Sequence, residues 1–115
     1  MELELLPFLD ALPNQYTVTD KADGERHFLY CVKDNMYLIN NNLIVRKIHV
    51  NNSENYNNTI LDGEIIQLPN KQIFLAFDIL FDRGQDMRIE PNLETRYLRL
   101  KSVIENLKSE SSTLL

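Results

Sequence analysis

The sequence predicts an α+β domain, a mainly antiparallel sheet followed by one C-terminal helix. Three observations carry that reading. Between Tyr16 and Phe81 the chain divides into short runs rich in β-branched and aromatic residues, separated by Asn, Asp and Pro clusters. Residues 92–108 then switch to an apolar stripe at steps of four and three. A length of 115 residues suits one hydrophobic core, with neither an internal repeat nor a second domain.

The elements follow in order. Residues 1–15, with Pro7 and Pro13 as punctuation, read as a lead-in segment: a helical turn or two and then an extended approach. YTVTDKA, RHFLYCV, NMYLI and LIVRKIHV read as a strand meander. Lys33-Asp34-Asn35 and Asn40-Asn41-Asn42 supply turn chemistry, because Asn and Asp tolerate left-handed backbone. VNNSENYNN (50–58) reads as a surface loop. TILDGEIIQL and QIFLAFDILF are two longer strands joined at Pro69-Asn70-Lys71, the second apolar enough to be covered on both faces. DRGQDMRIEP reads as a charged loop. Asn92 is placed to cap the helix, with Glu94 in its first turn and Leu93, Tyr97, Leu100, Ile104 and Leu107 along its apolar stripe. SESSTLL reads as a fraying tail.

Composition narrows the function classes. A net charge of −5 argues against a surface that grips nucleic acid everywhere, though it leaves room for a local basic cleft. Two histidines and one cysteine are too few for a Cys/His zinc site, whereas magnesium held by carboxylates and phosphates remains open. The single Cys31 excludes an internal disulfide, suits a reducing compartment and sits in an alternating run as a buried small hydrophobe. No apolar stretch approaches the roughly 20 residues that cross a bilayer, and MELELLPFLDAL lacks a basic leader. No membrane partner is expected.

Three segments set carboxylates beside or inside strands that favour burial: Lys21 to Arg26, Asp62 to Glu64, and Asp78. A buried unpaired carboxylate costs several kcal/mol, so each needs a partner or a task. A lysine beside an acid and an arginine can have a shifted pKa, which frees its amine for attack on phosphorus or carbon. Gly24 permits a tight bend or a close approach to a ligand. Asp62-Gly63-Glu64 has the form of a hairpin turn, yet the flanking Ile60-Leu61 and Ile65-Ile66 place it in a strand. Asp78 within FLAFDILF calls for a cation or a backbone amide.

The order KADGER, then LDGE, then an apolar strand carrying Phe-Asp resembles the covalent nucleotidyltransferase superfamily: mRNA guanylyltransferases (capping enzymes) and polynucleotide ligases. The resemblance runs from about Tyr16 to about Leu100. It implies the ligase/capping, ATP-grasp-like fold, and attack by Lys21 on the α-phosphate of a nucleoside triphosphate. A lysyl-N-NMP would form, and a polynucleotide 5′ end would take the nucleotide from it. By the same resemblance Asp23, Gly24, Arg26 and Glu64 would contact or organise the nucleotide, and Phe77 would stack on its base. Asp62 and Asp78 would support them. GTP, or ATP in a ligase, is the implied substrate, with Mg2+ or Mn2+ to neutralise the triphosphate; no metal ligand is assigned. The acceptor is an RNA 5′ end, and the remainder of a capping enzyme is a further partner.

Two family motifs, Glu-Gly before apolar residues and a Lys-x-Lys strand, are absent after Glu90, so the chain reads as the front part of such a domain: a fragment, a split gene product or a degenerate copy. Arg46, one strand beyond the position where relatives carry an arginine, is left unassigned. Glu25 leans towards ligases, whereas FLAFDILFDRGQDMRIEPNLETRYLRL resembles large viral capping enzymes, and capping is preferred. An inactive binding or assembly module is the remaining alternative. A cytoplasmic setting, such as a viral factory or virion, is expected, with a nuclear one left open, as is exposed apolar surface where the sheet is uncovered.

Overall fold

Apolar residues at every second position need a sheet with one buried face, and the chain builds it from strands far apart in sequence. The computed structural model describes residues 2–8, 24–33, 35–50, 56–108 and 112–114. Among these are eight strands: β1 (Glu2–Pro7), β2 (Glu25–Val32), β3 (Asn35–Asn40), β4 (Val45–Val50), β5 (Thr59–Gln67), β6 (Lys71–Asp82), β7 (Gln85–Asp86) and β8 (Ser112–Leu114). One helix, α1 (Leu93–Lys108), precedes β8. The strand order is β1-β8-β4-β3-β2-β5-β6-β7, and β1 also pairs with β6. Seven strands therefore close a ring, with β7 appended to the far half of β6. YTVTDKA (16–22) lies outside the described residues.

Three expectations are corrected. Residues 2–7 of the first segment are a strand, not a helical turn: β1 runs parallel to β6, from Glu2 beside Lys71 to Pro7 beside Ala76, and residues 9–15 lie outside the described residues. Leu3 and Leu5 enter the main core, Leu6 packs on the opposite face, and Glu4 accepts from Lys71 Nζ at 2.6 Å. Six residues with apolar side chains on both faces match a slot beside a doubly covered strand better than a surface helix. The sheet is consequently mixed. The tail also pairs, Ser112–Leu114 lying against β4 and touching Glu2. Within the 50–58 segment Val50 ends β4, and Tyr56 is buried beneath the Arg83 guanidinium, 5.2 Å from its ring centroid; residues 51–55 lie outside the described residues.

The main core lies on the inner sheet face. Leu29 and Cys31 of β2, Leu38 of β3, Leu61 and Ile65 of β5 and Phe74 of β6 pack there against Leu100, Val103, Ile104 and Leu107 of α1. Burial pushes the Cys31 thiol up to about 12, which makes it an inert core residue. Asn92 caps α1, its Oδ1 accepting from Thr95 N at 2.9 Å. Leu93, the first helical residue, leaves the stripe and is 74% exposed. On the opposite face Ile66, Ile73 and Leu75 gather Leu6, Phe8 and Leu68. β6 is thus apolar on both sides. Exposed apolar surface appears at the β3–β4 tip, where Leu43 is 79% exposed with a φ of 62°.

Two carboxylates of β6 fasten α1. Asp78 pairs with Arg96, and Asp82, its side chain 0% exposed, receives Arg83 at 2.8 Å and Arg99 at 2.7 Å. Burial works to raise the Asp82 carboxyl, but the hydrogen bonds from Arg83 and Arg99 outweigh it and hold the pKa below the ordinary value. In the β7 turn, hydrogen bonds from the Arg88 side chain and backbone lower Asp86 to about 2.

Two outcomes follow. A Cβ on Gly63 would stand 2.7 Å from Phe74 Cζ and closer still to the Leu75 carbonyl oxygen, so Gly63→Ala should cost about 1–3 kcal/mol in urea unfolding. The depressed Asp82 and Asp86 carboxyls contribute stability that is complete above the ordinary carboxylate pKa and lost as pH falls through their lowered values. Acid unfolding should therefore steepen below about pH 4, and Asp82→Asn should flatten that limb in a melting-temperature series.

Candidate functional site

Strand alternation brings the charged motifs to the outer face of the sheet, away from α1. Arg26 of β2 lies opposite Glu64 of β5, and Asp62 shares their face two residues along. The Arg26 guanidinium is forked onto Asp62, Nε donating to Oδ1 at 3.0 Å and a terminal NH2 to Oδ2 at 2.8 Å. It also lies 5.3 Å from the Phe28 ring centroid and remains 56% exposed. The hydrogen bond and charge of Asp62 raise the pKa of Arg26, so the cation is fixed in charge and direction while one side stays open.

Glu64 has no hydrogen bond or ion pair among the described residues, which leaves its carboxylate available. Gly24 lies directly against it: a Cβ there would fall inside contact distance of Glu64 Oε1 and Cδ. The missing side chain makes room for Glu64 beside the end of β2.

The next strand adds an aromatic. The β5–β6 register shifts between Asp62 and Gly63, which pair with Asp78 and Ala76, so Phe77 sits on a bulge. Its ring is 41% exposed and meets Phe8 edge-on, with centroids 4.9 Å apart and planes at 65°. Asp78 turns towards Arg96 of α1, and its Oδ1 accepts from Ile79 N at 2.8 Å.

The fold therefore gathers Gly24, Arg26, Asp62, Glu64 and Phe77 on neighbouring strands and directs Asp78 to the helix. Lys21 and Asp23 lie outside the described residues. Among the described residues no group of three His, Cys, Asp or Glu side chains could hold a metal ion. Asp62 and Asp78 are occupied by arginines, so among the described residues of this face Glu64 is the carboxylate left to face a cation. Arg46 lies elsewhere, lining a cavity of about 290 Å³ with His27, Asn40 and Gln72. Sequence reasoning missed two partners, Phe8 for Phe77 and Arg96 for Asp78. The lone acid in an apolar strand signalled a cation, but not which arginine.

Comparison with known proteins adds a family. The sequence model described as mRNA capping enzyme, catalytic domain, matches residues 7–114. The probable mRNA-capping enzyme of Acanthamoeba polyphaga mimivirus is 37% identical over 100 residues, covering 84% of this chain and 8% of that protein. The mRNA-capping enzyme of African swine fever virus (isolate Pig/Kenya/KEN-50/1950) is 33% identical over 97 residues, 84% of this chain and 11% of that protein. The chain thus spans about a tenth of the length of these relatives. No solved structure matches it.

The contact between Gly24 and Glu64 has a measurable signature. Gly24→Ala should cost about 1 kcal/mol in wild-type background and markedly less beside Glu64→Ala. A double-mutant cycle by urea unfolding should give a coupling of about 0.5 kcal/mol or more.

Proposed function

This chain belongs to the mRNA capping enzyme family, matched over its catalytic domain, and from that premise we propose that it forms the lysine-bearing part of a guanylyltransferase site. The observation that carries this reading is the outer-face arrangement: a forked, half-exposed Arg26, a Glu64 with no partner among the described residues and an exposed Phe77 on adjoining strands. Those groups suit the parts of a nucleotide. Phe77 offers a flat apolar face to the base. Arg26 offers donors to ribose or phosphate oxygens on its open side, and Asp62 fixes its plane.

In the reaction, the neutral Nζ of Lys21 attacks the α-phosphorus of GTP in line with the bond to the β-phosphate. The P–N bond forms, that P–O bond breaks, pyrophosphate leaves, and the amine gives up a proton. A terminal oxygen of an RNA 5′-diphosphate then attacks the same phosphorus, breaking the P–N bond, and the amine regains a proton. Such transfers depend on alignment and charge neutralisation more than on a proton shuttle. Glu64 is the described residue suited to hold Mg2+ or Mn2+, and the ion would supply charge neutralisation to the triphosphate.

One observation favours a second reading for these 115 residues taken alone. Arg26 is the basic side chain the described residues place on this face beside Glu64, and Asp62 already claims it. A chain with so little free positive charge there would serve as a module that binds nucleotide weakly.

Incubation of the full polypeptide with α-labelled GTP and Mg2+ should leave an acid-labile, alkali-stable label. Lys21→Ala should abolish it, and Glu64→Gln should reduce its rate by about tenfold or more. Label persisting in Lys21→Ala would sink the assignment, and label from ATP instead of GTP would move the reading to a ligase. Isothermal titration of the 115-residue chain with GTP should show only weak binding, and sub-micromolar affinity would remove the second reading.

A further inference from the structure

We propose that Arg96 of α1 is a positioning residue for the nucleotide site, acting through Asp78 on the orientation of Phe77. The inference rests on the guanylyltransferase reading for its ligand, but its geometry stands apart from that reading. Phe77 is presented by a bulge, and a bulge is the part of a ladder least held by its own hydrogen bonds. Two contacts hold it. Phe8 meets the ring edge-on, and the next residue, Asp78, is tied to Arg96.

Charge explains why the second contact matters. Asp78 and Asp62 are direct partners across β5 and β6, and like charges placed opposite each other in a ladder repel. Each carboxylate has its own arginine from a different direction, Arg26 of β2 for Asp62 and Arg96 of α1 for Asp78. Without Arg96, Asp78 becomes a half-buried carboxylate facing another carboxylate, Asp62, whose own cation is Arg26. Asp78 would then turn from the helix towards Asp62 and Arg26, rotating the bulge that carries Phe77. One lost cation would disturb the aromatic platform and loosen the fork on Arg26 together.

Arg96 makes this contact through a terminal NH2, and its Nε has no partner among the described residues. A single donor is therefore enough, and lysine should replace it. The neighbouring pair supplies a control. Arg99 also fastens α1 to β6, but through Asp82, five residues beyond Phe77 and away from Asp62. Losing it weakens the helix–strand contact without disturbing the Asp62–Asp78 balance, because Arg83 still neutralises Asp82.

The test compares wild type, Arg96→Met, Arg96→Lys and Arg99→Met in the full polypeptide. Hydrogen exchange over residues 72–81 is followed without nucleotide, and KM and kcat of lysyl-GMP formation are measured with GTP. Arg96→Met should speed exchange around Phe77 and raise KM about tenfold while kcat stays within about threefold. Arg96→Lys should restore both, and Arg99→Met should lower the melting temperature with KM unchanged. An unaltered KM in Arg96→Met, or an equal rise in Arg99→Met, overturns the proposal, the latter by showing general loosening of α1. If the wild-type protein forms no GMP adduct, the guanylyltransferase reading falls alone. Exchange then decides the positioning role: faster exchange confined to Arg96→Met sustains it, and unchanged exchange rejects it.

Discussion

Strand β6 must be apolar on both faces and still carry two carboxylates, and this requirement organises the molecule. Its buried run from Ile73 to Ala76 sits between the main core and the smaller cluster. Asp78 and Asp82 follow in the same strand, where an uncompensated charge would be strongly destabilising. The compensating cations come chiefly from α1, as Arg96 and Arg99, one helical turn apart. Hydrophobic packing of Leu100, Val103, Ile104 and Leu107 gives the helix a face to bury, and the arginines fix where along β6 it lies.

Site and core therefore share one strand. Residues that pack inward from β2, β5 and β6 hold the sheet, and their neighbours on alternate positions hold the charged motifs and the aromatic ring. Gly63 shows the tightness of this arrangement: it is flanked by Asp62, which holds Arg26, and Glu64, which has no partner among the described residues, while its own lack of a side chain admits Phe74. The Asp-Gly-Glu triplet works as three consecutive strand positions with different duties, not as a turn.

What was legible in the sequence was local. The Asn40 turn, the Asn92 cap, the helix from 93 and the placement of Asp62-Gly63-Glu64 within a strand all depend on chemistry spanning a few residues. Asp78 was legible as a residue in need of a cation, because an acid in an apolar strand is costly wherever it lies. Pairings across long separations were not. ELELLP carries apolar residues on both faces and ends in Pro, a pattern that fits a short helix or a buried strand equally well until β6 is known to lie beside it. The strand in the tail is three residues long, too short for any periodicity. Arg26 was legible as a cation near the motif lysine, but its fork onto Asp62 required the β2–β5 register, which sets partners 36 positions apart.

The parallel pairing of β1 with β6 also bears on how the chain comes into being. Glu2 meets Lys71, so β1 waits for its β6 neighbour until some seventy further residues have left the ribosome. Until then its leucines are unsheltered, and the meander β2 to β5, whose contacts are mostly hairpins, can form without it. Synthesis and assembly run in opposite orders at this seam: the earlier strand is inserted late, beside the strand that also presents Phe77. A nascent chain would acquire its aromatic platform only when β1 folds back to meet β6.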